Sequence, residues 1–348
     1  MDKKEKLYHV FFVLSNITQI VVESYLAENS EIIESSIIIY PKRFIPTIQG
    51  VKTLYFPFYD DKTEFCIPGK NFIKKNKQVN EVQDYIFNLT TGNKFIFYAP
   101  HFNISILNLF IKNKNCLDYC YIEEGLLSYM NLSDVQKILP SKKLDIFQSL
   151  GFGFNKITPF PDLTKKVICI DKDAFVFSNN KYIIRSETLK QELIKKSKLF
   201  ELALNNSALF IFDSSVENKM VKIHYYLLAI VKSISYVKSR DIQKLYYKFH
   251  PEQRVAGTES FFRKFLDERL FGIQLIELSE DFPLEFALMN SKNLTVIHTM
   301  SSISFYAKKF GHKAYSNAKF MFEDNSFKKQ YFDPANEVFH FDLIPHDA

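Results

Sequence analysis

The sequence predicts an α/β protein built as two open, mostly parallel sheets, and three observations carry that prediction. Short apolar runs alternate with stretches of helical periodicity, in two series separated by a Pro-containing stretch near residues 152–166. Strands alternating with helices are the pattern of parallel sheet with crossover connections. The chain has 348 residues, which at roughly 150 per domain is about two domains' worth. The residues best suited to chemistry fall just past predicted strand ends, where open parallel sheets bind their ligands.

In the first series, residues 7–14 form an apolar run ending at Ser15-Asn16-Ile17-Thr18, whose hydroxyl and amide side chains suit the cap of a following helix. Further strand-like runs lie at 36–40, 51–56, 94–98 and 118–122. The second series holds runs at 208–212, 245–249, 273–276 and 294–297, with helical segments at 219–234, 258–270, 284–290 and 303–310. Residues beyond 320 are polar and aromatic without clear period, and there is no internal repeat. The expected domains are therefore 1–160 and 207–320, joined by a connecting segment at 161–206, with a tail at 321–348 that packs back on the N-terminal domain.

Composition narrows the function classes. Hydrophobic residues make up 47% and charged residues 24%, so the chain buries real cores rather than staying disordered. The 36 Phe and 19 Tyr, against 9 Gly and no Trp, partly reflect coding bias and still leave rings for stacking on sugars or a base. Cys66, Cys116, Cys120 and Cys169 form no metal-ligand spacing, and Cys169 lies in an apolar run that reads as a buried strand. A reducing, cytoplasmic compartment fits. After the charged Met1-Asp2-Lys3-Lys4-Glu5-Lys6, only about eight largely apolar residues precede Ser15, too few for a membrane span, and no small-residue cleavage site follows. The net charge of +6 is spread over short Lys groups with no concentrated stripe, which argues against nucleic acid and suits an anionic donor or membrane surface.

Three clusters carry the chemistry, and each follows a predicted strand. Glu123-Glu124-Gly125 offers carboxylates that can take a proton from a hydroxyl, with Gly125 allowing a sharp turn and room near a substrate. Lys248-Phe249-His250-Pro251 supplies a histidine able to assist a departing phosphate beside a positive charge. Ser301-Ser302 opens a helix, where hydroxyls and free N–H groups can hold that phosphate. Taken singly, each has an ordinary explanation as a helix-start charge, a turn or an N-cap. Asp171-Lys172-Asp173 and Asp60-Asp61 are acidic patterns frequent by chance. No P-loop, GxGxxG, HExxH or GxSxG occurs, so nucleotide hydrolysis, dinucleotide redox and serine hydrolysis lack support.

The set Glu-Glu-Gly, Lys-x-His-Pro and Ser-Ser resembles the bacterial sialyltransferases, in particular the lipo-oligosaccharide sialyltransferases of glycosyltransferase family 52 and the polysialyltransferase group. The resemblance runs from about Tyr121 to Phe310 and implies a GT-B fold, two Rossmann-like domains facing each other across a cleft. It also implies transfer of sialic acid from CMP-sialic acid, with inversion and without a metal, onto lipo-oligosaccharide, O-antigen or capsule. The general base falls on the acidic pair, with Glu123 as the base and Glu124 in support, although sequence alone does not choose between them. His250 with Lys248 and Pro251 would meet the departing CMP, Ser301 and Ser302 its phosphate, and Glu285 its ribose. Asn16, Thr18, His101 and Asn103 are candidates for acceptor binding because they follow strands of the N-terminal domain. The implied partners are a CMP-sugar donor and a glycan or glycolipid acceptor, at the inner face of the cytoplasmic membrane, with oligomeric state open. Two alternatives use the same residues: transfer of another CMP-activated nonulosonic acid such as pseudaminic acid, and non-catalytic glycan binding on the same fold.

Overall fold

The computed structural model describes residues 6–41, 44–59, 72–100, 105–131, 133, 162, 164–200, 203–280, 282–301, 303–332 and 342–345. The chain divides into two units, Met1–Glu192 and Leu193–Ala348.

Unit 1 is built on parallel strands β1 (Tyr8–Phe12), β2 (Ser36–Tyr40), β3 (Lys52–Tyr55), β4 (Phe95–Ala99), β5 (Cys116–Ile122), β6 (Val167–Cys169) and β7 (Lys181–Ile183). Their order is β3-β2-β1-β4-β5-β6-β7, with α1 (Asn16–Glu28), α2 (Phe72–Thr90) and α3 (Asn108–Ile111) among the described connections. The order reverses direction between β1 and β4, the switch-point topology of a doubly wound sheet. Burial explains why the central strands read as unbroken apolar runs: Val10, Phe11 and Phe12 of β1 and Ile38 and Ile39 of β2 have no exposed surface.

Helix α1 starts where Ser15-Asn16-Ile17-Thr18 predicts it. The Ser15 hydroxyl accepts from the Thr18 N–H at 3.2 Å, and the Thr18 hydroxyl accepts from the Ser15 N–H at 2.9 Å, a reciprocal capping box. Thr18 is fully buried and its hydroxyl also donates to the Ser15 carbonyl at 2.8 Å. The expectation that Thr18 binds acceptor is thereby corrected: its hydroxyl starts a helix. Asn16 is half-buried in the first turn, and His101 and Asn103 lie outside the described residues.

Unit 2 holds β8 (Ala208–Ile211), β9 (Lys244–Lys248), β10 (Gln274–Glu277), β11 (Thr295–His298) and β12 (Lys313–Ser316), parallel and in the order β10-β9-β8-β11-β12. Helix α4 (Ser186–Phe200) runs through the division between the units, and α5 (Ile223–Ser239), α6 (Pro251–Ala256), α7 (Glu259–Asp267), α8 (Leu284–Asn290), α9 (Ile303–Lys309) and α10 (Asn325–Tyr331) follow. Rings cluster under the carboxyl ends of the strands: Phe212 lies 4.7 Å from both Phe210 and Phe249 and 5.6 Å from Phe262. Much of the aromatic load is thus core. Phe97 packs on Phe110 in unit 1 and Phe212 on Phe249 in unit 2, and each ring buries area that contributes to stability.

Three expectations about organisation change. Strands β6 and β7 fall in the expected connecting segment and complete the first sheet. Strand β12 and helix α10, short and mixed in character, have no counterpart in the predicted elements. The described end of the tail packs in unit 2: Leu343 bridges to Ser316 and Ile344 is buried in the unit 2 core. Among the described residues no helix is long and apolar enough to cross a membrane.

Candidate active site

In unit 1 the acidic pair follows β5, and the structure separates its two members. The Glu123 N–H continues the ladder by donating to the Ile168 carbonyl at 2.9 Å. Its side chain is fully buried; the Tyr129 hydroxyl donates to one carboxylate oxygen, and the Ile170 N–H donates to the other at 2.9 Å. Glu123 therefore pins the exit of β6 to the 3₁₀ turn Leu126–Tyr129. These contacts give Glu123 a structural task in the unliganded protein. Glu123→Ala takes the carboxylate acceptor from the half-buried Tyr129 hydroxyl and Ile170 N–H, a loss of about 1–3 kcal/mol, which thermal unfolding will show as a lower transition for unit 1.

Glu124 is half-buried. Its N–H donates to the Ser128 hydroxyl at 3.1 Å, which orients the backbone, while among the described residues its carboxylate has no hydrogen-bond partner. Burial without compensation pushes that carboxyl up to about 7. A carboxyl near 7 is tuned to accept a proton at neutral pH. The sign for stability follows from the same shift. The native value lies above the ordinary 4.5, so folding favours the protonated form, and ionising Glu124 weakens unit 1 as pH rises from about 4.5 through 7. Glu124→Gln removes that loss, so the variant should be more stable than the parent at pH 8 and similar at pH 4, as read by thermal unfolding at the two pH values.

Gly125 differs from expectation. Its φ of 163° is extended backbone open to any residue, so no sharp turn needs it; the space does match, since no atom lies within 4 Å of an added Cβ.

In unit 2 the strand order brings the other clusters to one edge of the sheet. The carboxyl ends of β9, β8 and β11 are adjacent, and they lead to His250, Asp213 and Ser301 respectively. His250 caps α6: its Nδ1 accepts from the Glu252 N–H at 3.2 Å, and its own N–H donates to the buried Gln253 side chain at 3.1 Å. With Nδ1 used as an acceptor, the neutral ring carries its proton on Nε2, for which the described residues offer no partner. Pro251 at the first helical position fixes the turn. Beside it, the Asn218 amide bridges the Ser214 hydroxyl and the Glu252 carboxylate, both at 2.8 Å.

Lys248 donates to the Phe282 carbonyl at 2.8 Å, tying β9 to the segment before α8. Glu285 lies half-buried in the first turn of α8. Ser301 is half-buried and accepts from the Ile303 N–H at 3.3 Å; Ser302 lies outside the described residues. Asp171, of the Asp-Lys-Asp pattern, accepts from the Asp173 N–H at 2.7 Å, the mark of a local turn. Among the described residues no cluster of three His, Cys, Asp or Glu side chains is placed to hold a metal ion.

Supporting residues emerge that the motifs do not include. Glu277 ends β10 and accepts from Arg254 at 3.0 Å and from Arg263 at 2.8 Å, so α6 and α7 are clamped to the sheet. These guanidinium groups, Arg263's foremost, hold the Glu277 carboxyl below its usual range. Asp213 caps the Ser215 N–H at 3.1 Å and its own N–H donates to the Tyr226 hydroxyl at 3.2 Å; burial pushes its carboxyl up. The buried Thr299 hydroxyl donates to Asn317 at 3.1 Å, and the Asn317 amide donates to the buried Ser233 hydroxyl at 3.1 Å. Asp213-Ser214-Ser215 after a strand is a turn signal legible in sequence. Asn317 follows a strand too short and polar to predict, and gives no such signal.

Comparison with known families decides what these residues belong to. The model of the alpha-2,8-polysialyltransferase family matches residues 11–315, which spans β1 to β12 and all three motifs. The chain belongs to the alpha-2,8-polysialyltransferase family. It is accordingly a member of the sialyltransferases and a glycosyltransferase. No curated protein matches the sequence. Among solved structures, the sialyltransferase from Photobacterium damsela is similar at 11% identity with a TM-score of 0.50, covering 95% of this chain and 78% of that one. The UDP-GlcNAc 2-epimerase from Methanocaldococcus jannaschii has 10% identity and a TM-score of 0.49, over 95% of this chain and 98% of that one. The first of these likenesses supports the two Rossmann-like domains of this family member.

Proposed function

We propose that this polysialyltransferase-family chain transfers sialic acid from CMP-sialic acid, with inversion, to a hydroxyl of a sialic acid that already ends a glycan. The acceptor oxygen attacks the anomeric carbon, and its proton passes to the Glu124 carboxylate. The bond from that carbon to the phosphate oxygen breaks, and CMP leaves with the electron pair. His250 donates a hydrogen bond from Nε2 to the phosphate as charge develops on it, and Ser301 contributes its hydroxyl. Ser302, Lys248 and Glu285 are assigned to the donor on the strength of the motifs alone, and the proposed chemistry uses no metal.

The observation that carries the reading is the contrast at the acidic pair. One carboxylate is consumed by structure, while its neighbour is half-open with its proton affinity raised towards neutrality. Incubation with CMP-sialic acid and a sialic-acid-terminated primer tests the proposal directly. A ladder of products, each one sialic acid longer, is expected on anion exchange; an unchanged primer with intact donor would overturn it. The natural acceptor is proposed to be a lipid-linked glycan at the inner face of the cytoplasmic membrane.

A further inference from the structure

Beyond β12 the chain closes on itself inside unit 2. The Ser316 N–H donates to the Asp342 carbonyl at 2.6 Å, and the Ile344 N–H donates to the Ser316 carbonyl at 2.9 Å. Residues 342–344 thus run parallel to the end of β12, with Leu343 bridged to Ser316. The Ile344 side chain is 1% exposed and sits among the buried residues of the unit 2 core. A further tie leads to α9, whose Lys308 ammonium lies 2.8 Å from the Asp342 carboxylate.

The anchored residues are the ones that hold the Ser301 loop. The Ser316 hydroxyl donates to the Thr299 carbonyl at 2.5 Å, while Asn317 receives the Thr299 hydroxyl at 3.1 Å and donates its N–H to the His298 carbonyl at 2.9 Å. Ser316 and Asn317 have no exposed surface and Thr299 has 1%. Buried polar groups in such a chain constrain one another, because each lost partner leaves a costly unpaired atom. Two residues after Thr299 comes Ser301, and α9 begins at Ile303. Segment 342–344 therefore touches both sides of that loop: its entry through Ser316, and the helix after it through Lys308.

We propose that residues 342–344, acting through Ser316 and Asn317, form a strap that positions the Ser301 loop, so that strap docking and binding of a nucleotide phosphate reinforce each other. The inference rests on the reading of Ser301 as a phosphate contact. Coupling of this kind is reciprocal. Whatever the strap adds to nucleotide affinity, the nucleotide must return as protection of the strap.

Hydrogen exchange on the full-length protein, with and without CMP, tests this. CMP is expected to slow exchange of the Ile344 N–H severalfold, with no change at the Val10 N–H in unit 1. Steady-state kinetics supply the second arm. Ile344→Ala should raise the KM for CMP-sialic acid about tenfold, a typical coupling factor, with kcat changed less than about twofold, while Leu26→Ala, a core truncation in unit 1, should leave KM unaltered. If Ile344→Ala fails to fold, the exchange arm alone decides. A protein that CMP stabilises against heat while Ile344 exchange is unaltered overturns the strap and leaves the functional reading intact. If CMP neither stabilises the protein nor protects any unit 2 amide, the phosphate reading fails and the strap fails with it.

Discussion

Glu124→Gln is expected to abolish sialyl transfer while leaving the chain folded and able to bind CMP. Proton transfer by a positioned carboxylate typically contributes 10² to 10⁴-fold, so kcat should fall by about three orders of magnitude. The parent should show a matching pH profile. Below about 7, Glu124 is protonated and unable to accept, so kcat/KM should fall as pH drops and level off on the alkaline side. The amide cannot titrate, and the residual activity of the variant should lose that limb. Glu123→Gln keeps an acceptor for Tyr129 and should retain the limb even where the protein is weakened. A Glu123 variant that removes the limb, beside a fully active Glu124 variant, would return the base to Glu123.

Replacing His250 separates two tasks that one ring performs. Its Nδ1 caps α6 and its Nε2–H is available for an anion. Asn is among the best N-cap residues, so His250→Asn should preserve the turn and the melting temperature. It nevertheless lacks a donor at the reach of Nε2, and kcat should fall by about 10² to 10³, the scale of one lost donor to developing charge. His250→Ala should match that loss and also lose about 1 kcal/mol of capping. Circular dichroism melting beside transfer kinetics measures both. An Asn variant with parental kcat would show that the histidine serves only as a cap.

Much of this architecture is readable from the chain because buried parallel strands leave a plain record. Ser36-Ile37-Ile38-Ile39-Tyr40 is β2 to the residue, and residues 284–290 are α8 to the residue. The short strands fail for the same reason that the long ones succeed. Lys181-Tyr182-Ile183 and Lys313-Ala314-Tyr315-Ser316 carry too little apolar content to announce themselves, and only their place in the sheet makes them strands.

The three motifs are legible as residue types at strand ends, but not as roles. Nothing in Glu123-Glu124 states that Tyr129 and Ile170 will consume the first carboxylate, because those contacts close over sequence separations of 6 and 47 residues. The tautomer of His250 depends on the N–H of Glu252, which the His-Pro pattern omits. Thr18 fits both a helix cap and a sugar contact in sequence, and its hydroxyl bonds within its own helix start. The return of Ile344 to unit 2 joins residues far apart along the chain, and no local signal encodes it.

The most direct test of the central claim is CMP release from CMP-sialic acid, measured with chelator present, against sialic-acid-terminated and galactose-terminated acceptors and with no acceptor. The account predicts release that depends on the sialic-acid-terminated acceptor, survives the chelator and disappears with Glu124→Gln. Release that ignores the acceptor, or requires a metal, or persists in Glu124→Gln, would contradict it.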